Sequence, residues 1–321
     1  MKYKNIIFLK KTDFVFKKMN SRLKYSVKPF IKWVGGKGQL ISTIENELPA
    51  YLFKNTQTTY VEPFVGGGAI LFWILKNTKI ENAIINDINS DLTKAYLTVK
   101  KNVAELILCL KEFQKKYDNL SDLTKRTDYY LENREKYNTK TLDDIENTAL
   151  FIFLNKTCFN GLYRVNSKGK FNVPFGKYEK PMICDENTLL ADSELLQKVE
   201  ILNGDFEQTI HYVNDKSFFY FDPPYKPISK TSSFNSYASE VFDDNEQLRL
   251  KRFSDKLHNN GNLWLLSNSD NDFFDNLYSG YKISRVWATR AVNCKANGRG
   301  KLTEILIKNY ESEKYRLTLN F

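Results

Sequence analysis

The chain has only two histidines, His211 and His258, and four cysteines, Cys109, Cys158, Cys184 and Cys294, with no C-x-x-C pair among them. That scarcity argues against a structural metal or a disulfide framework, and it fits a reduced, cytoplasmic protein. Long apolar runs are missing too: the stretch IIFL at 6–9 is stopped by Lys10 and Lys11, so neither a signal peptide nor a membrane-spanning helix is expected. No internal repeat or low-complexity block interrupts the chain. What remains is 321 residues with 42% hydrophobic content, enough to bury a full core in one large domain or two.

Positive charge is in excess, with a formal net charge of +10 and a pI near 9.1. A Lys-rich composition can follow from AT-rich coding alone, so the placement of the charge carries more than its total. Residues 1–28 hold nine basic residues against one acid, 156–180 six against one, and 289–301 four against none. Charge gathered into three segments is the footprint of a phosphate-contacting surface.

From Phe30 the chain reads FIKWVGGKGQL and then an amphipathic helix with Leu40, Ile41, Ile44 and Leu48 on one face, closed before Pro49. A strand at TTYVEPF, a glycine turn at VGGGA, a helix through ILFWILKN and a strand at AIIND follow, with Asn89 or Ser90 placed to cap the next helix. This βαβ beginning predicts a parallel sheet. Residues 91–157 read as successive helices, and LYRVN and KFNVP flank a Ser-Lys-Gly turn as a predicted β-hairpin. Strands resume at VEILNG, FFYFD, NLWLLSN, YKISRVW and LTEILIKNY, with a helix at 244–258.

The glycine turns fit neither common nucleotide signature. Counting from Gly66, VGGGAIL has Leu71 where the dinucleotide fingerprint wants glycine or alanine; GGKG at 35–38 lacks the glycine ahead and the Ser/Thr behind that a phosphate loop needs. A ligand with a ribose but no pyrophosphate accounts for Asp87, 25 residues past Glu62, as the partner of a ribose diol. At 219–225, FYFDPPY runs an apolar strand into an acid, two prolines and a tyrosine. Proline has no N–H for a sheet ladder and holds its flanks extended, so the strand ends there and the directions of Asp222 and Tyr225 are set.

FIKWVGGK, VEPFVGGGA, NDIN, NGLYRVNSKGKFNVPFGKY and FDPPY, in this order and spacing, resemble the Dam-type DNA adenine-N6 methyltransferases, the class with its target-recognition region between the cofactor motif and DPPY. The resemblance runs from residue 28 to 310 and implies an α/β fold: a Rossmann-like, mostly parallel catalytic sheet from 22–95 and 183–321, an inserted helical and hairpin target-recognition domain at 96–182, and an N-terminal extension at 1–21. It implies S-adenosylmethionine as cofactor, double-stranded DNA as substrate and, most often in the family, adenine within GATC as target. It leaves room for a cognate restriction endonuclease acting independently.

Carried over residue by residue, the resemblance implies cofactor contacts from Trp33, Lys37, the turn holding Glu62, Phe64, Gly66 and Gly68, Asp87 on the ribose, Asp205 and Phe206 towards the adenine, and Asp222 by the methionine end. For Asp205 a solvated helix cap is an equal reading. Asp222, Pro223, Pro224 and Tyr225 are the expected catalytic segment. An exocyclic amine on adenine is a weak nucleophile because its lone pair is delocalised, so acceptors at Asp222 and at the Pro223 carbonyl would draw out that lone pair, while Tyr225 stacks on a flipped base. For DNA, Phe159 and Asn160 are expected at the gap left by the base, Leu162 and Arg164 on base edges, Pro174 and Tyr178 at the edge of the site, and Arg290, Lys295, Arg299 and Lys301 on the backbone. Arg164 can pair with guanine O6 and N7, or contact phosphate instead.

A cytosine-C5 methyltransferase needs a nucleophilic cysteine, usually after proline, and none of the four cysteines follows one. Methylation of cytosine N4, an RNA base or a protein glutamine stays open, as does a binding module that has lost catalysis. Residues 1–18 precede Met19 and match none of the motifs, so a chain beginning at Met19 is expected to fold and to methylate the same site; loss of solubility or altered site choice in that truncation would contradict this.

Overall fold

The computed structural model describes residues 27–54, 56–214, 216–225, 242–289 and 301–312. Arg290, Lys295 and Arg299 lie outside the described residues, as do 1–21 with Met19; Lys301 is described in its backbone only. The described chain forms two compact units.

One unit comprises residues 37–65, 69–88 and 198 onwards, and contains the whole sheet. Its strands are β1 (Thr59–Glu62), β2 (Asn82–Asp87), β3 (Val199–Asn203), β4 (Ser217–Phe221), β5 (Leu263–Ser269), β6 (Lys282–Thr289) and β7 (Lys301–Lys308), in the spatial order β3-β2-β1-β4-β5-β7-β6. The first five run parallel, and β7 is antiparallel to both β5 and β6. β1 and β4 are buried along their whole length, which is why SFFYF and TYVE read as unbroken runs rather than alternating ones. Phe219, Phe221, Leu250, Phe253, Trp264 and Leu266 belong to one core on this sheet. Strand order reverses between β1 and β4, so the carboxyl ends of those two strands, at Glu62 and Asp222, flank the crevice where open α/β sheets bind ligands. Helices α1 (Ile41–Glu47), α2 (Ala69–Asn77), α8 (Asp244–Asn259) and α9 (Asp272–Leu277) complete this unit.

The other unit holds the described residues up to Gly36, together with 66–68 and 89–197. It is built from α3 (Ser90–Lys101), α4 (Val103–Asp118), α5 (Leu123–Asn138), α6 (Asp144–Thr157) and α7 (Glu186–Leu196). Local chemistry starts four of these five helices: Asn89, Asp122, Asp143 and Asp185 accept backbone N–H bonds at the starts of α3, α5, α6 and α7. Within this unit α3 packs with α4, α6 and α7, and α7 packs also with α4.

The predicted hairpin is a ribbon without continuous strands among the described residues. Val165 and Phe171 form an isolated bridge, flanked by Asn166 N to Lys170 O at 2.9 Å and Asn172 N to Arg164 O at 3.1 Å. Side chains compete for the rest of the ladder: Asn138 of α5 bonds both the N–H and the carbonyl of Phe171, and the Tyr130 hydroxyl donates to Val173 O at 2.8 Å. Period-two patterning cannot anticipate a ribbon anchored to a helix in this way.

Candidate active site and nucleic-acid interface

β4 delivers Asp222 as the first residue past its end, and the two prolines stop the ladder there. Lys37, in the short 3-10 turn Lys37–Gln39, is 6% exposed and places Nζ 2.7 Å from Asp222 Oδ1. Ser267 of β5 donates to the same oxygen at 3.1 Å and is itself within 3.1 Å of the Tyr220 hydroxyl. Lys37 Nζ also lies 4.4 Å from the centroid of the Tyr225 ring, a cation–π contact. The Tyr225 hydroxyl donates to Glu304 Oε2 at 2.6 Å. Pro223 is buried and Pro224 exposed; the Pro224 carbonyl accepts from Gln247 Nε2 of α8 at 3.1 Å, which fixes the peptide leading to Tyr225. Ser267, Gln247 and Glu304 have no motif of their own. They come from β5, α8 and β7, and only the strand order brings them to DPPY.

Burial pushes the Asp222 carboxyl above the ordinary carboxylate range; the Lys37 ammonium and the Ser267 hydroxyl pull it back, and Glu304 adds to the rise. Glu62, buried at the end of β1, is raised further by desolvation, against a 2.7 Å bond from the Tyr60 hydroxyl. The groups bearing on Asp222 are thus Lys37, Ser267 and Glu304, with Tyr220 and Glu62 beyond. Replacing Lys37 by Met removes the cation that holds Asp222 ionised, so the folded-state pKa of Asp222 rises. Activity that needs the carboxylate is then lost at a higher pH, and the acid limb of the pH–rate profile is expected to move up. A stability term follows with its own sign: a carboxyl raised on folding is stabilising while protonated and loses that contribution as pH rises through its folded value, so the variant should lose melting temperature, relative to wild type, between acid and neutral pH. An unmoved acid limb would rule out Lys37 as the counter-ion.

The other predicted cofactor residues of this unit fall on neighbouring strand ends. Asp87 closes β2, its carbonyl held by Asn203 Nδ2 at 2.8 Å and Gly204 N at 3.1 Å. The preceding Asn86, absent from the sequence reading, is buried and donates to Pro63 O and Gly204 O while accepting from Gln208, which joins the loops after β1 and β3. Phe64 and Phe206 pack at 5.2 Å between ring centroids, and Phe242 stands edge-on to Phe64 at 5.5 Å. Asp205 caps the 3-10 segment Phe206–Tyr212 through Glu207 N and pairs with Arg249, so its carboxylate is engaged within the protein.

In the helical unit Trp33 stacks on Tyr163 with ring centroids 5.5 Å apart. A Cβ added at Gly66, which has φ +48, would come within 2.9 Å of the Trp33 ring, and one at Gly67 within 3.0 Å of the Trp33 side chain. That close approach is what the glycine turn provides here; Gly68, with φ +75, also requires the left-handed region. Tyr163, likewise unanticipated, donates to Asp91 Oδ2 at 2.9 Å, an oxygen shared with Tyr137 and Lys140.

Before the ribbon, in the 3-10 turn Phe159–Gly161 that follows α6, Phe159 is exposed, and Asn160 is exposed with φ 54, a left-handed conformation that asparagine tolerates. Phe159 N donates to Pro174 O at 2.9 Å, tying the two predicted DNA-edge positions together. Leu162 is half-buried, and Tyr178 packs under Lys32 Nζ at 5.1 Å. Arg164 is exposed and lies along Asn172, with Nε 2.8 Å from Asn172 Oδ1 and Nη2 3.2 Å from its carbonyl.

A sheet of this order with an Asp-Pro-Pro-Tyr segment at its switch point defines an S-adenosylmethionine-dependent methyltransferase fold. Residues 33–292 match the family described as D12 class N6 adenine-specific DNA methyltransferase, and the chain belongs to it. It is 49% identical over 288 residues to the Type II methyltransferase M.MjaIII of Methanocaldococcus jannaschii, covering 88% of this chain and 99% of that one. It is 33% identical over 291 residues to a DNA adenine methylase of Haemophilus influenzae, covering 90% and 96%, and 32% over 277 residues to that of Escherichia coli, covering 86% and 93%. The resemblance drawn from the motifs is thereby established, and the cofactor of the family is S-adenosylmethionine. Among the described residues no helix is long and apolar enough to cross a membrane.

Proposed function

We propose that this adenine-specific DNA methyltransferase acts on N6 of an adenine flipped out of duplex DNA, within GATC, with Asp222, Pro223, Pro224 and Tyr225 as the catalytic segment. The observation that carries the reading is the arrangement around Asp222: among the described residues Lys37 and Ser267 both address Oδ1, so that Oδ2 is placed to accept an N6–H hydrogen bond, and the adjacent Pro223 carbonyl offers the second acceptor. Two such acceptors draw the amine towards tetrahedral geometry and free its lone pair. The ring of Tyr225 supplies a stacking surface for the flipped base.

The residues fit the cofactor of the family. A buried acid at Glu62 and a half-buried one at Asp222 suit a cationic ligand, and Asp87 at the end of β2 suits a ribose diol. When bound, S-adenosylmethionine supplies an electrophilic methyl group on its sulfonium. The residues we assign to it are those the resemblance implies: Trp33, Lys37, Glu62, Phe64, Gly66, Gly68, Asp87, Asp205, Phe206 and Asp222. Residues 22–95 and 183–321 then form the catalytic domain and 96–182 the target-recognition domain.

For DNA we assign Phe159, Asn160, Leu162, Arg164, Pro174 and Tyr178 on and beside the ribbon, with Arg290, Lys295, Arg299 and Lys301 on the phosphate backbone. Exposure of Phe159, Asn160, Arg164 and Pro174 supports the first group, and the basic charge of 289–301 supports the second. The likeness to proteins named Type II methyltransferases supports a role as the protective methylase of a restriction-modification pair, working in the cytoplasm beside an independent endonuclease. Sequencing with base-modification detection of DNA from cells expressing the chain tests target and site together. Methylated adenine in GATC is expected; a different motif would refute the site assignment.

A further inference from the structure

We propose that Glu304 is a positioning residue for methyl transfer, holding the Tyr225 ring through its hydroxyl so that the ring meets the target adenine in one orientation. The inference rests on the reading of Tyr225 as the stacking surface. Glu304 stands on β7, where it pairs in register with Ser269 of β5 and Val286 of β6, so its backbone is fixed from both sides. Its Oε2 takes the Tyr225 hydroxyl bond at 2.6 Å. The ring has a second hold in Lys37 Nζ, 4.4 Å from its centroid, and the peptide before it is held through the Pro224 carbonyl by Gln247, whose own Oε1 accepts from Asn268 at 3.4 Å.

An aromatic ring at the end of a short Pro-Pro segment can turn about its χ angles. A free phenol would sample several ring orientations, most of them wrong for stacking. A carboxylate bonded to the hydroxyl at the far end of the ring removes that freedom at the point of greatest leverage. Burial together with the Asp222 and Glu304 charges raises the Tyr225 phenol well above its ordinary range, so the hydroxyl stays protonated and remains the donor. A hydrogen bond to a charged acceptor is among the stronger neutral-to-ion contacts available to a side chain. The role differs from that of Asp222, since Glu304 acts through Tyr225 and needs no contact with substrate.

The test compares Glu304→Ala, Glu304→Gln, Tyr225→Phe and the double variant Glu304→Ala/Tyr225→Phe in single-turnover methylation of a GATC duplex at saturating S-adenosylmethionine, with Asp222→Asn run alongside. Each of Glu304→Ala and Tyr225→Phe should slow the step about tenfold, and the double variant no further, because both remove one hydrogen bond. Glu304→Gln, whose amide oxygen accepts the same bond, should recover most of the rate. Cofactor affinity by titration calorimetry should stay within about twofold in the Glu304 and Tyr225 variants, which loss of packing alone would not predict. Losses that multiply in the double variant, wild-type rates in both single variants, or a Glu304→Gln variant as slow as Glu304→Ala would overturn the proposal. Should Glu304→Ala not fold, Glu304→Leu, which also removes the acceptor, takes its place in the same comparison. A wild-type rate in Asp222→Asn would overturn the reading of the whole segment, whereas an inactive Asp222→Asn with multiplying losses would overturn the Glu304 role alone.

Discussion

Asp222→Asn is expected to lower the single-turnover rate of methyl transfer by about 10²–10³-fold, the loss that follows removal of one preorganised group that strengthens in the transition state. The substitution keeps the side-chain volume but turns an ionised acceptor into an amide. Lys37 then loses the carboxylate 2.7 Å away, and with it the partner that compensates a cation only 6% exposed. A drop in stability is therefore expected as well, because weakening the ion pair of a buried charge is costly. The two effects separate cleanly: the rate loss is read at saturating cofactor and at a temperature well below melting, and a near wild-type rate there would remove Asp222 from the mechanism.

Arg164→Ala is expected to relax discrimination at one guanine of the site by about tenfold to a hundredfold, since a lost bidentate contact costs roughly 1–3 kcal/mol at its own base pair. The geometry adds a reason. Asn172 engages Nε through its side chain and Nη2 through its carbonyl, along one edge of the guanidinium. The end carrying Nη1 and the second Nη2 proton is the edge that fits guanine O6 and N7. Rates on duplexes altered one base pair at a time check this; an equal fall on every duplex would reassign Arg164 to phosphate.

Much of this was legible before any coordinates. The βαβ beginning, the helix run after residue 90 and the strands after residue 198 follow from period and caps, because those signals are local. DPPY could be placed at a strand end because proline cannot stay in a ladder. The partners of that segment could not be read. Ser267, Gln247 and Glu304 reach Asp222, Pro224 and Tyr225 only because β5 and β7 lie next to one another beyond β4, with α8 supplying Gln247. Sequence separation hides such contacts, 79 residues in the case of Tyr225 and Glu304. Asn86 and Tyr163 were missed for the same reason: a buried asparagine tying two loops together and a tyrosine under Trp33 look like ordinary strand and ribbon residues in one dimension. The hairpin topology at 162–174 follows from its turn residues, and Val165 and Phe171 do pair antiparallel; what one dimension hides is that Asn138 and Tyr130 take the backbone groups of Phe171 and Val173.

Asp222 and the DPPY backbone are proposed to activate the N6 amine of adenine. The most direct test is to incubate the purified chain with duplex DNA and methyl-labelled S-adenosylmethionine, digest the DNA to nucleosides, and identify the labelled base by mass spectrometry. Label is expected in N6-methyladenine alone, accumulating about 10²–10³-fold more slowly when the Asp222→Asn variant replaces the wild type under the same conditions. Label in N4-methylcytosine, or undiminished N6-methyladenine from Asp222→Asn, would contradict it.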